Sequence, residues 1–302
     1  MGRYGARERA LAFTQERARA VLARTGVPGA ADARLLALGE NAVFRAGDLV
    51  LKVGREAGLL ARARREVRVA AWLAEAGVPA VRPARPEAEL TDGLPVTYWH
   101  PLPEPVRTAG GADLADLLRR VHALPLPDAG VLPGGLPPRG LLDGVERWLR
   151  LAGDAIDPAD AAFLRGRKDD ITLAMREVTP RLDPGPVHGD ALPRNVLVGP
   201  EGPVLTDLET FADDLREHDL VVMALALDRY GLDPGEYEAF TSRYGWDVRE
   251  WDGWGVLRGA RETASCAWVA QHAPGDPAAR AEFGRRVASL RAGDPTVRWH
   301  AF

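Results

Sequence analysis

The 302-residue sequence predicts an α+β fold of two lobes, a small β-rich one over residues 1–100 with one main helix and a larger, mainly helical one over residues 101–302. Three observations carry this. Three β-prone pieces, ARLLALG, NAVFRAG and DLVLKVG, follow one another, each closed by a glycine. One helical stretch, ARREVRVAAWLAEAG, comes next. Beyond a proline-rich link at Pro101 and Pro103, helical spacing dominates and is interrupted by a short β element that carries HGD.

The opening, from Arg7 to Arg24, predicts a helix, because Leu11, Phe13, Ala18, Val21 and Leu22 recur at helical spacing with Arg and Glu between them. Gly26, Pro28 and Gly29 end it. The three β-prone pieces read as an antiparallel meander, and the helix after them stops at Gly77, with Pro79 just beyond. GLPVTYWHPLP is a strand broken by its prolines. ADLADLLRRVHAL is an amphipathic helix with Leu114, Leu117, Leu118 and Val121 on one face. Residues 124–139, rich in Pro and Gly, form a surface loop. VERWLRLAG and the stretch around AMREVTPRL are helical, and the chain from Asp219 onward is mainly helical.

Apolar residues make up 46% and charged ones 27%, a globular balance that excludes disorder as the main state. Cys266 is the one cysteine, so an internal disulfide or a cysteine metal site is excluded; its surroundings, SCAWVA, read as buried helix. The N-terminus lacks the apolar core of a signal peptide, and no run of roughly 18 charge-free apolar residues follows. A cytoplasmic protein without a membrane partner is the expectation. No basic run interleaves with aromatics, so no nucleic-acid partner is expected either. The net charge of −4 hides an asymmetry: residues 1–100 hold 16 Arg and Lys against 11 Asp and Glu, whereas residues 201–260 hold 5 against 14. Oligomeric state is left open.

The polar residues that interrupt PVHGDALPRNVLV and VLTDLETF stand out from this background. His188-Gly189 and Pro193 place Asp190 in a loop, and Asn195 opens the apolar run VLV. Asp207 follows the run PVLT, and strand alternation puts Glu209 on its side. If the two runs pair as a hairpin, Asn195 and Asp207 come together as hard oxygen ligands suited to Mg2+, with Asp190 nearby. The bland alternative is that Asp190 and Asn195 cap a turn.

HGDALPRN resembles the HGDxxxxN catalytic loop of the aminoglycoside phosphotransferase and choline kinase family, relatives of the protein kinases, and LTDLE resembles the metal-binding strand that follows it. The resemblance spans residues 35–225 and implies a protein-kinase-like fold and ATP-dependent phosphorylation of a small-molecule hydroxyl. It makes Asp190 the catalytic base and Asn195 and Asp207 the Mg2+ ligands. Glu209 becomes a second-metal or substrate contact, and His188 and Asp219 support the catalytic loop. LVLKV resembles the family's third strand, which assigns Lys52, one of two lysines, to the ATP phosphates. Glu66 is then its ionic partner, with Glu56 and Glu75 as alternatives. LGENAVFR resembles the loop over the phosphates, with backbone amides near Glu40, Asn41 and Ala42 as donors. VTYWHPLP resembles the lobe linker, where backbone groups of Tyr98, Trp99 and His100 receive adenine. DLLRRVHAL resembles a helix of the family and gives His122 a structural role.

The acceptor is less defined. An aminoglycoside or another antibiotic, held as a cation, suits Asp213, Asp214, Glu217, Asp233, Glu236 and Glu238 as an acidic lining, although these could equally be solvated faces. Choline, a sugar or another metabolite suits the same catalytic parts. A nucleotide-binding pseudoenzyme with a regulatory role, or a nucleotidyl transferase, are the remaining alternatives. Trp246, Trp251, Trp254, Trp268 and Trp299 are expected to pack a helical core rather than to floor a binding site.

Overall fold

Alternation along NAVFRA and LVLKV sends Ala42, Phe44, Ala46, Leu51 and Val53 to one buried face, and this is what closes the N-terminal meander. The computed structural model describes residues 13–300, and these divide into two compact units, residues 13–75 with 80–103, and 76–79 with 104–300.

In the first unit, β1 (Arg34–Leu38), β2 (Asn41–Ala46) and β3 (Leu49–Gly54) are antiparallel neighbours. β5 (Leu94–Trp99) lies against β3, and β4 (Glu89–Thr91) forms the far edge. The register sets Phe44 opposite Leu51 and Val43 opposite Lys52, so Lys52 stands on the face away from Leu51 and Val53. β4 escaped the sequence reading. Its signal was Asp92-Gly93, whose φ values of 49° and 79° make the tight hairpin turn that this dipeptide favours. α1 (Gln15–Leu22) starts where the Thr14 hydroxyl accepts the Arg17 amide at 3.2 Å, and it buries Ala18, Val21 and Leu22 in one core with Phe44, Leu51 and Tyr98. The Arg7–Leu11 part of the expected opening helix lies outside the described residues. α2 (Leu60–Glu75) ends as expected before Gly77, which takes φ 73°.

The second unit is built on helices. α3 (Gly111–His122) packs against α7 (Pro234–Tyr244). α4 (Val145–Ala152), α5 (Pro158–Ala174), α8 (Trp254–Ala270) and α9 (Pro277–Arg291) enclose a core with Leu149, Leu164, Phe283 and Trp299. Cys266 is buried in that core, which pushes its thiol up to about 12. Among these helices run two short antiparallel pairs, β6 (Gly185–Val187) with β9 (Ala212–Asp214) and β7 (Val196–Gly199) with β8 (Gly202–Leu205). The mostly buried α6 (Glu217–Tyr230) follows them.

One expectation is corrected. The helix anticipated around AMREVTPRL lies mostly earlier, as α5, which ends at the first residue of that stretch, and only the 3-10 turn Met175–Glu177 continues into it. The start signal was Asp157-Pro158: the Asp157 carboxylate accepts the Ala159 amide at 2.8 Å, and proline occupies the first helical position. Residues 124–139 hold neither helix nor strand. Of the tryptophans, Trp299 lies in the core, Trp268 packs against it, and Trp251 is buried with its indole donating to Thr179 O at 2.9 Å. Among the described residues no helix is long and apolar enough to cross a membrane.

Candidate active site

β6 delivers the chain to His188, Gly189 and Asp190, and the loop they form is held from several sides. Gly189 has φ 86°, and a Cβ there would stand 2.4 Å from Thr210 O, so the position requires glycine. Asp219, fully buried in the first turn of α6, accepts the His188 amide at 2.7 Å and the Gly189 amide at 2.8 Å. Its Oδ2 also lies 3.1 Å from His122 Nε2, and His122 Nδ1 lies 2.8 Å from the Tyr244 hydroxyl. Burial alone would raise the Asp219 carboxyl, but the hydrogen bond and charge of His122, with help from His188, hold it down at about 2. The His188 ring braces the loop from within. Its Nε2 is 2.9 Å from Thr206 O, which can only accept, so Nε2 carries the proton and Nδ1 accepts the Asp190 amide at 3.3 Å.

Asp190 is thus fixed at its backbone, and its carboxylate sits among cations. Oδ2 accepts from Arg194 Nη2 at 2.9 Å and from Asn195 Nδ2 at 3.3 Å, while Arg261 Nη1 stands 3.7 Å from Oδ1. Burial pushes the carboxyl up, yet Arg261 and Arg194 outweigh it and keep Asp190 below the usual carboxylate range. Arg261 Nη2 and Arg139 Nε donate together to Gly189 O, at 2.6 and 2.9 Å. None of the three arginines stands at a fixed position of a motif in the sequence. Arg194 stands four residues after Asp190 and was visible in principle, but Arg261 arrives from α8, and nothing local links it to the loop.

The hairpin expected around Asn195 forms. Val196 faces Leu205, and the Thr206 amide donates to Asn195 O at 2.9 Å, so Asp207 follows just beyond the residue opposite Asn195. The strand ends at Leu205, however. Asp207 takes a left-handed backbone with φ 55°, and Glu209 lies in the 3-10 turn Leu208–Thr210, so strand alternation does not set their sides. A carboxylate oxygen of each nevertheless lies within 4.8 Å of the other. The Asn195 amide nitrogen donates to Asp190 O at 2.8 Å, which leaves its carbonyl oxygen as the ligand atom. An amide oxygen and carboxylate oxygens are the kinds of donor that a hard divalent cation such as Mg2+ takes, so the chemistry of these residues fits that ion.

In the first unit, Lys52 Nζ lies 2.9 and 3.2 Å from the two carboxylate oxygens of Glu66, and both side chains are largely buried. Of the three acids considered as its partner, Glu66 makes this pair.

Two backbone expectations narrow. Asn41 and Ala42 lie inside β2, with Ala42 between Leu38 and Val53, whereas Glu40 alone of the three stands outside the strands. At the end of β5, His100 N donates to Arg82 O at 2.9 Å and Tyr98 O accepts from Ala84 N at 2.8 Å. A backbone N–H is a single donor, so His100 N is already committed. The Tyr98 carbonyl keeps a second lone pair.

Of the six acids expected to line a site for a cationic acceptor, four hold backbone amides, which positions them while leaving their charge in place. Glu217 is buried and accepts the amides of Arg181 and Leu182 at 2.7 and 2.8 Å. Asp214 accepts those of Arg139 and Leu215, Asp233 that of Gly235, and Glu236 that of Gly111.

Comparison with known proteins agrees with this geometry. A family model described as the phosphotransferase enzyme family matches residues 25–259. A choline/ethanolamine kinase family protein from Mesorhizobium loti is 21% identical, with a TM-score of 0.62 over 92% of this chain and 93% of its own. The amicoumacin kinase hAmiN, solved with AMP-PNP, Ca2+ and Ami, is 15% identical, with a TM-score of 0.69 over 94% and 95%. The spectinomycin phosphotransferase APH(9)-Ia, solved with ADP and its antibiotic, is 14% identical, with a TM-score of 0.58 over 85% and 88%. These likenesses show the protein-kinase-like fold. No curated protein matches the chain.

Proposed function

The chain belongs to the phosphotransferase enzyme family, and from that premise we propose that it transfers the γ-phosphoryl group of ATP to a hydroxyl of a small molecule. The observation that carries this reading is the fixing of Asp190 in a loop pinned at its amides by Asp219 and at its carbonyl by Arg139 and Arg261. Precise placement of a base is what phosphoryl transfer asks of a protein, since most of its rate comes from positioning and charge stabilisation.

In this reading Asp190 orients the acceptor hydroxyl and takes its proton. The acceptor oxygen bonds to the γ-phosphorus as the bond from that phosphorus to the β–γ bridging oxygen breaks, and ADP leaves with the electron pair. Lys52, aimed by Glu66, holds the nucleotide's phosphates, and the Glu40 amide and the Tyr98 carbonyl are the backbone groups offered to the nucleotide. Asn195 and Asp207, with Glu209 beside them, would hold Mg2+, which when bound neutralises charge on the phosphates. Support for a nucleotide with a divalent ion comes from the amicoumacin kinase, solved with AMP-PNP and Ca2+.

An antibiotic acceptor draws support from the kinases of amicoumacin and spectinomycin, and a metabolite such as choline from the choline/ethanolamine kinase family protein. Asp190 and Asp207 are both present, which speaks against a pseudoenzyme. The test is a screen of Mg-ATP with aminoglycosides, other antibiotics, choline and sugars, reading products by mass, with Asp190→Ala as control. A product heavier by one phosphoryl group that vanishes in Asp190→Ala, while nucleotide binding persists, is the expected result. A nucleotidyl adduct, or turnover that survives in Asp190→Ala, would overturn the assignment.

A further inference from the structure

More than one guanidinium stands around the Asp190 carboxylate, and Asp219 behind the loop offsets part of the charge of Arg261. Arg194 and Arg261 both address that one carboxylate, at 2.9 and 3.7 Å. Arg139 adds a third guanidinium, 2.9 Å from the neighbouring Gly189 carbonyl. Arg261 is 12% exposed, and its Nε–H is buried with no hydrogen-bond partner. A buried guanidinium with an unused donor, beside a carboxylate already shared with a second arginine, is a place for an anion.

A cationic acceptor meets the opposite situation. To bring its hydroxyl to Asp190 it must bring ammonium groups towards Arg194 and Arg261, and the repulsion is strongest at Arg261, which is the more buried of the two. Several acids of the C-terminal unit are tied to other partners: Glu217, Asp214, Asp233 and Glu236 each accept a backbone amide, and Asp228 pairs with Arg258 at 3.0 Å. Asp219, close behind the loop, is fully buried and matched by two amides and His122.

We infer that the acceptor carries an anionic group, a carboxylate or a phosphate, which seats against Arg194 and Arg261 while its hydroxyl addresses Asp190. This deepens the phosphotransferase reading and rests on it. It departs from the polyamine acceptor that the acidic C-terminal composition suggested. The guanidinium fork suits both oxyanions, and the planar donors of Arg261 would exchange part of their hold on Asp190 for the ligand.

The test is a calorimetric titration of the full chain loaded with Mg-AMP-PNP, using hexoses of similar size and different charge: glucose 6-phosphate, gluconate, glucose and glucosamine, with kanamycin as the polyamine. At least one of the two anionic hexoses is expected to bind ten-fold or more tighter than glucosamine, and their order identifies phosphate or carboxylate as the recognised group. Arg194→Gln should shrink that preference about ten-fold, and Arg194→Glu should invert it. Arg194 is 66% exposed, so these variants keep the test open if Arg261→Gln fails to fold. Tighter binding of glucosamine or kanamycin, binding of no hexose, or a preference unmoved by both Arg194 variants would each overturn the inference. Equal weakening of all the hexoses by Arg194→Gln would overturn it too, since the arginine would then serve the transferred phosphoryl group instead. Failure to bind Mg-AMP-PNP at all strikes the phosphotransferase reading itself and is seen before any hexose is added.

Discussion

Asp219 Oδ2 accepts the backbone amide of His188 at 2.7 Å, tying the first turn of α6 to the entry of the loop that carries Asp190. The same carboxylate accepts the Gly189 amide and faces His122, so its charge is both buried and used three times over. Its carboxyl is held at about 2, against 3.8 for a free aspartate. A depressed folded value stabilises the fold above the unfolded value, and this contribution is lost as pH falls from about 4 towards 2. By that linkage the group contributes on the order of 2 kcal/mol at neutral pH. Asp219→Asn should therefore lower stability at pH 7 by roughly that amount and flatten the acid limb between pH 4 and 2. Denaturant midpoints measured from pH 7 to pH 2 check this, and parallel curves for the two proteins would refute it.

Gly189 combines two constraints that separate experimentally. Its φ of 86° strains any other residue, and its missing Cβ makes room for Thr210 O at 2.4 Å. Gly231 at the end of α6 shares the first constraint, with φ 68°, but has nothing within 4 Å. Gly231→Ala should cost about 1 kcal/mol and leave turnover intact, as strain alone does. Gly189→Ala should cost at least about 2 kcal/mol and lower kcat about 100-fold, because the loop must move by an appreciable fraction of an ångström. Equal effects of the two alanines on turnover would show that the loop tolerates the shift.

Much of this site was legible in the sequence, and the reasons are physical. The meander, α2 and α3 follow from periodicity and from glycine stops, and Asp190, Asn195 and Asp207 sit in a contiguous motif whose hairpin is local. Lys52 and Glu66 were legible because a strand lysine and a helix glutamate each stood in a recognisable context. What escaped depended on tertiary geometry. Arg261 joins Asp190 from α8, and the left-handed backbone at Asp207 belongs to a turn that no alternation pattern predicts. Glu217 and Asp233 read in the sequence as cleft lining or solvated faces, but Glu217 is buried with Oε1 accepting the amides of Arg181 and Leu182, and Asp233 caps the start of α7. Composition counts charges without showing which of them are already satisfied.

The Lys52–Glu66 pair should separate aiming from charge. Lys52 supplies the ammonium and Glu66 only directs it, at 2.9 and 3.2 Å. Lys52→Ala is expected to lower kcat/KM for Mg-ATP by about 100- to 1,000-fold, the scale of removing one preorganised electrostatic donor. Glu66→Gln keeps a hydrogen-bond acceptor and should cost about ten-fold, since the ammonium remains but is less well directed. Steady-state kinetics over a range of Mg-ATP concentrations check the order. A larger loss in Glu66→Gln than in Lys52→Ala would reverse the roles assigned here.

Away from the site, Arg229 organises the C-terminal segment. It is 3% exposed, donates to Glu262 Oε1 at 2.8 Å and to the carbonyls of Asp294 and Val297 at 2.8 and 3.1 Å, and lies 4.6 Å over the Trp299 ring. Replacing it with Met fills much of the space but strips two part-buried carbonyls and the buried Glu262 carboxylate of their donor, and removing one partner of a buried ion pair costs about 3–5 kcal/mol. Glu262 retains Arg258 at 3.3 Å and Arg167 at 3.4 Å, so the lower end of that range is expected. Arg229→Lys keeps the charge without the planar fork and should fall between Met and wild type. Urea unfolding of the three proteins gives the comparison. A Met variant within about 0.5 kcal/mol of wild type would mean that water or Arg258 takes over the freed groups, and that Trp299 is held by packing alone.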